Sequence, residues 1–171
     1  GECGTDDMQQ IRVLGGPNLI LDRVLERGDC IIVAPQCQAS PAEYNWVPIN
    51  KQWGTGSREL TEKPTISLAA ATELLKTFLS DERTDKSRVY AAGISMGGYG
   101  TWELITRHPE WFAAAVPVCG SGIPSLAGRL TDIAIWAMHG EADTTVPPQG
   151  TRDMENAVKA AGGNKIRTSF Y

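Results

Sequence analysis

Val89-Tyr90-Ala91-Ala92-Gly93-Ile94-Ser95-Met96-Gly97-Gly98-Tyr99-Gly100-Thr101-Trp102 is the stretch on which the reading of this chain turns. A short β-branched and apolar run leads into Gly93-x-Ser95-x-Gly97, and a helical pattern follows at once. Strand, sharp turn with serine at its apex, then helix is the context of a nucleophile elbow. The glycines on either side of the serine have a steric reason, because so tight a turn leaves no room for a Cβ between strand and helix. Such a turn lifts the Ser95 hydroxyl clear of the sheet, and the Met96 N–H then faces the same space as half of an oxyanion hole. The helix start adds partial positive charge behind a developing alkoxide. The bare pattern arises by chance in roughly one such sequence in ten, given ordinary residue usage. Its flanks carry the argument. The competing reading is a glycine-rich phosphate turn, but no G-x-x-x-x-G-K-[ST] is present.

Outward from the elbow, strands and helices alternate. Downstream, the helix expected from about Met96 to Arg107 stops before Pro109. Trp111 and Phe112 read as core, residues 113–118 and 133–138 as short buried strands, and Cys119-Gly120-Ser121-Gly122 as a flexible link. A helix is expected from about Pro148 to Ala161, stopped by Gly162-Gly163, and Lys165 to Tyr171 alternates like a last strand. Upstream, Pro64 to Leu79 carries an apolar stripe through Leu68, Ala71, Leu74, Leu75, Phe78 and Leu79. Pro64 suits its first turn. Cys30-Ile31-Ile32-Val33-Ala34 reads as a strand buried on both faces, and residues 8–14 and 19–26 as short helices. Between 36 and 60 lies a long irregular segment containing Tyr44, Trp46 and Trp53. Long loops inside compact domains are usually functional. Its tryptophans either wall a pocket or anchor the loop to the body. The rhythm as a whole predicts one α/β domain over residues 1–171 with a mostly parallel sheet.

Composition narrows the functional classes. The chain has 171 residues, 42% hydrophobic and 21% charged, enough for one real core. Net charge is −4 with scattered basic residues, which argues against nucleic acid as a partner. No apolar run approaches the ~20 residues of a membrane span. Cys3, Cys30, Cys37 and Cys119 make no C-x-x-C pair, so a zinc site is not expected. No other metal and no cofactor is expected either. A Cys30–Cys37 disulfide is conceivable, with buried thiols the plainer alternative.

A serine nucleophile needs a base, and the base needs an orienting acid. Asp143 follows a strand and would project at the C-terminal edge of the sheet, beside the elbow, which makes it the candidate acid. Glu141 and Asp132 are fallbacks, and a helix-capping aspartate is the structural alternative. The chain holds two histidines, His108 and His139. His108 lies about twelve residues along the elbow helix, roughly 18 Å from Ser95 at 1.5 Å per residue. His139 precedes the acid and is better placed to bond the turn that it begins. The sequence therefore carries a nucleophile and an acid without a base.

Arg88 to Trp102, followed by His108-Pro109-Glu110-Trp111-Phe112-Ala113-Ala114-Ala115-Val116-Pro117-Val118-Cys119-Gly120, resembles the prolyl-oligopeptidase-like "predicted peptidase" esterases. These are α/β-hydrolases similar to carboxylesterases of the polyhydroxybutyrate-depolymerase and feruloyl-esterase type. Ala34-Pro35-Gln36-Cys37 and residues 139–147 match the same pattern. The resemblance implies an α/β-hydrolase fold acting on small-molecule or carbohydrate-linked esters, with a weak pointer to a secreted or periplasmic setting. It implies a second oxyanion N–H near Gly1 and Glu2, and a catalytic histidine in a Gly-His loop beyond the strand at 165–171. It also places a further strand between those at 30–34 and 88–93. The expectation is an internal piece of a longer esterase, lacking N-terminal strands and the segment with the catalytic histidine. Tyr99, Trp46 and Trp53 are the expected pocket residues. Rival readings are a serine peptidase of the prolyl-oligopeptidase kind and a hydrolase-fold remnant or binding protein. A dienelactone-hydrolase-like enzyme would carry Cys at the position of Ser95.

Overall fold

The structure is a computed structural model that describes Glu26, Gly28 and residues 30–38, 45–48 and 58–171. The readings at Gly1, Glu2, Cys3, Tyr44 and Trp53, and the two short helices before Glu26, lie outside the described residues. Helix α1 spans Ile66–Leu79. Strand β1 (Tyr90–Ile94) runs into helix α2 (Met96–Arg107). Strand β2 (Ala114–Val118), a 3-10 segment at Pro124–Leu130 and strand β3 (Ala134–His139) follow. Helix α3 (Gln149–Ala160) and strand β4 (Ile166–Phe170) complete the order. The four strands form one parallel sheet in the order β1-β2-β3-β4.

Ladder register explains where the core sits. Ala91 pairs with Ala115, Ala115 with Ile135 and Ile135 with Ile166, and all four are buried. Side chains alternate along a strand, so this row faces one side. Trp102 and Ile105 from α2 and Met154 and Val158 from α3 pack onto it. Trp102 is 0% exposed, and its loss to alanine would cost about 3–5 kcal/mol. The adjacent row shows the other face: Tyr90 and Ile94 are 65% and 40% exposed, and Trp136 is 36% exposed. The short apolar runs predict strands buried on both faces, whereas among the described residues the helices cover one.

Several elements depart from their sequence reading. Residues 30–34 join no ladder among the described residues, and Ile31 and Ile32 are 50% and 44% exposed. β propensity without a neighbouring strand to pair with does not make a strand. Helix α1 begins after Thr65, whose hydroxyl accepts from the Leu68 N–H, so Pro64 precedes the cap. Its buried face runs through Leu68 and Thr72, and Leu74 turns outward. The link at 119–122 is packed rather than flexible, with Gly120, Ser121 and Gly122 all buried. Cys30, Cys37 and Cys119 are free thiols, Cys30 exposed and Cys37 buried.

Helix α2 is held against both neighbours. On one side Glu103, 2% exposed, takes the Arg107 guanidinium at 2.8 Å and Arg58 at 3.7 Å, so its buried charge is compensated. Arg107 also donates to the Thr61 carbonyl, which stitches the segment before α1 onto the helix. Toward the sheet, a Cβ on Gly98 would lie 2.4 Å from the Val118 carbonyl oxygen, and one on Gly93 2.3 Å from that of Gly97. Backbone atoms cannot retreat as flexible side chains can. Gly98→Ala is therefore expected to lower the unfolding free energy by at least the ~1–3 kcal/mol typical of overpacking. Gly128, with nothing within 4 Å of its missing Cβ, is the control, and Gly128→Ala should barely move the urea midpoint.

Candidate active site

Ser95 stands between the last residue of β1 and the first of α2 with φ 57° and ψ −118°. This is a conformation that non-glycine residues seldom adopt, costing of order 1–3 kcal/mol. Two main-chain bonds hold it: the Ser95 N–H donates to the Val118 carbonyl at 2.8 Å, and its carbonyl accepts from the Tyr99 N–H at 3.1 Å. Serine in the position before a helix normally caps the first turn with its hydroxyl. Ser95 does not; its side chain makes no capping bond, and its Oγ has no hydrogen-bond partner among the described residues. The residue is partly exposed. Met96 opens α2, with its sulfur 3.8 Å from the buried Cys37 thiol.

Asp143 lies in the loop after β3. Its Oδ1 accepts from the main-chain N–H groups of Thr145 and Val146, both at 2.9 Å. These bonds, Val146 first, hold the carboxyl below the usual carboxylate range, with smaller help from His139 and the Cys119 thiol. Asp143 thus closes its own turn. It does not cap α3, which starts at Gln149 with no side-chain cap. Of the fallback acids, Glu141 is committed to Arg152 at 2.6 Å on the surface. Asp132 precedes β3 and so sits at the opposite edge of the sheet from Ser95.

Neither histidine is placed to serve Ser95 as a base. His108 ends α2 and stacks on Trp111, with ring centroids 3.9 Å apart, and burial lowers its pKa. His139 is 1% exposed, with Nδ1 2.7 Å from the Thr151 hydroxyl and Nε2 2.8 Å from the Val146 carbonyl. Both ring nitrogens are spent on the fold.

The expected pocket residues divide. Trp46 is half-buried, and its Cβ lies where a side chain on Gly100 would be, 2.9 Å away. Its carbonyl accepts from the Thr65 hydroxyl, so this part of the loop is anchored to α1 and α2. Tyr99 is 2% exposed and packs with Val47 and Val146, under the Arg58 guanidinium at 5.2 Å.

Sequence reasoning overlooked Cys119. It stands directly after β2 at φ 49°, and its N–H donates to the Met138 carbonyl. Its thiol, a His139 nitrogen and an Asp143 carboxylate oxygen lie within 4.8 Å of one another. Burial, with the Asp143 charge, raises the thiol pKa. A cation here would have to displace one of the bonds that His139 makes. The signal was available in the sequence, since Cys119 follows its strand as Ser95 follows β1 and Asp143 nearly follows β3.

Comparison with known proteins accords with this geometry. The profile of the prolyl oligopeptidase family matches residues 62–125. The crystal structure of a thermostable esterase superposes with a TM-score of 0.85 at 35% identity, over 100% of this chain and 44% of that one. The chain belongs to the esterase-like α/β-hydrolases. This α/β-hydrolase chain spans less than half the length of that esterase. More distant structures share the fold alone. Acylaminoacyl peptidase from Pyrococcus horikoshii has TM-score 0.54 and 16% identity over 61% of this chain and 22% of its own. Arabidopsis thaliana SOBER1 has 0.57 and 18% over 74% and 63%. No curated protein matches the sequence.

Because the Asp143 carboxyl is held low, its ionised form stabilises the fold above the ordinary carboxylate range of about 4. That contribution disappears as pH falls through the lowered value. Asp143→Asn should be less stable than the native protein at pH 7, with the gap between their urea midpoints closing progressively below about pH 4. A constant gap across that range would contradict the loop bonding described above.

Proposed function

We propose that this α/β-hydrolase acts as a serine ester hydrolase, with Ser95 as nucleophile and Asp143 as the acid of its triad. The observation that carries this reading is the strained Ser95 whose hydroxyl is left uncommitted at the mouth of a helix. A strained conformation held by two main-chain bonds, with no capping bond in return, is what an activated nucleophile requires. Oγ attacks the ester carbonyl carbon while its proton passes to a histidine. Neither His108 nor His139 can be that histidine, so it is contributed from outside these 171 residues, with Asp143 fixing its tautomer. The Met96 N–H and a second donor near Gly1–Glu2 hold the oxyanion. The histidine then protonates the departing alcohol, and water releases the acyl group by the reverse sequence. Trp46, Trp53 and Tyr99 are the proposed substrate-binding residues, and the substrate is a small-molecule or carbohydrate-linked ester. The match to the prolyl oligopeptidase profile supports peptide cleavage as the second reading.

The full protein should label with a fluorophosphonate probe and hydrolyse p-nitrophenyl esters. Ser95→Ala should remove labelling and reduce ester turnover by at least about a thousandfold. Faster cleavage of peptide anilides than of esters would transfer the assignment to the peptidase. Ester turnover unchanged in Ser95→Ala would refute the nucleophile.

A further inference from the structure

We propose that His139 is the positioning residue for Asp143 and that it performs this task as a doubly protonated imidazolium. The inference rests on the reading of Asp143 as the triad acid and comes from counting protons. Three short contacts run in series through the fold: Nε2 to the Val146 carbonyl at 2.8 Å, Nδ1 to the Thr151 hydroxyl at 2.7 Å, and that hydroxyl to the Gly120 carbonyl at 2.9 Å. Each needs one proton. The two carbonyls at the ends can only accept, and the hydroxyl in the middle owns a single proton. A neutral imidazole and the hydroxyl supply two protons for three bonds. One contact would then be two lone pairs facing each other in a buried place, which costs as much as a lost buried hydrogen bond. The second imidazole proton completes the series.

A buried cation requires a counter-ion, and one is present. Asp143 Oδ2 lies 3.6 Å from Nε2, while its Oδ1 is held by the Thr145 and Val146 N–H groups. His139 thus grips the loop twice, at the Val146 carbonyl by hydrogen bond and at the Asp143 carboxylate by charge. Of the other groups around the ring, the Cys119 thiol at the end of β2 is the titratable one. Helix α3 contributes the Thr151 hydroxyl, and its Arg152 turns away to Glu141. Tyr171 beyond β4 meets His139 through the main chain, its side chain being exposed. The site is built from several elements. A Cβ on Gly150 would lie 2.6 Å from the Ser121 side chain, so glycine there lets the start of α3 close in, with Thr151 reaching the Gly120 carbonyl.

The ring 15N resonances of His139 in the full, isotopically labelled protein at neutral pH decide the proton count, with assignment from the signal lost in His139→Gln. Protons on both nitrogens are expected; a bare nitrogen in the native protein overturns the proposal. In Thr151→Val the series is broken, and one ring nitrogen should become bare, whereas two protons retained there would show that the count does not set the state. Fluorophosphonate labelling of folded His139→Gln should slow on the order of a hundredfold, the penalty for misplacing a catalytic group by about 1 Å. An unchanged labelling rate would remove the positioning role. If His139→Gln does not fold, Thr151→Val and the native spectrum still decide the proton count. Absence of labelling in the native protein would count against the esterase reading alone, because the proton count is read without catalysis.

Discussion

The close approach of α2 to the ends of β1 and β2 is the constraint on which the rest of this molecule depends. Gly93 faces the Gly97 carbonyl, Gly98 faces that of Val118, and Gly120 lies against Gly98, each where a single carbon would collide with main chain. The chain can turn from strand to helix in one residue only because these positions carry none. That residue is Ser95, and the turn forces it to a positive φ that is offset by bonds to Val118 and Tyr99. Its position at the apex of the turn, partly exposed and with no capping bond, follows from how strand and helix are packed.

Parallel pairing then does the assembling. Because β1, β2 and β3 run side by side in the same direction, Ser95, Cys119 and the Asp143 loop all leave the same edge of the sheet. The helix dipole of α2 opens onto that edge as well. Local electrostatics there favour negative charge at two points, at the start of α2 and beside His139. The first suits a developing oxyanion and the second holds a carboxylate. The edge owes its chemistry to main-chain N–H groups as much as to side chains, since Asp143 is fixed by Thr145 and Val146.

Much of this could be read before any coordinate. The Gly93-x-Ser95-x-Gly97 turn, the start and end of α2, the places of β2, β3 and β4 and the position of Asp143 in the loop after β3 follow from punctuation and period. Glycine, proline and strand-length apolar runs act locally, so they survive translation into structure. The failures share a cause too. The 30–34 run looked like a buried strand, but pairing and burial are supplied by neighbours, and the described residues give it neither. Cys119-Gly120-Ser121-Gly122 looked mobile because its glycines suggest freedom, yet they are there to let α2 and α3 close in.

Read locally, the sequence specifies a parallel α/β chain, a serine at the apex of a strand–helix turn, an aspartate in the loop after the third strand, and no histidine after that aspartate within these 171 residues. These depend on residue type and on spacing of a few positions. Tertiary structure alone decided which side chains meet. It buried Tyr99 against Val47 and Val146, tied Glu103 to Arg58 and Arg107, and placed Cys119 beside Asp143. It also closed the series from Gly120 through Thr151 and His139 to Val146, which joins the end of β2, α3, β3 and the acid's loop. The partners in such contacts are separated along the chain, and their distances are set by how helices settle on the sheet, which no local pattern encodes.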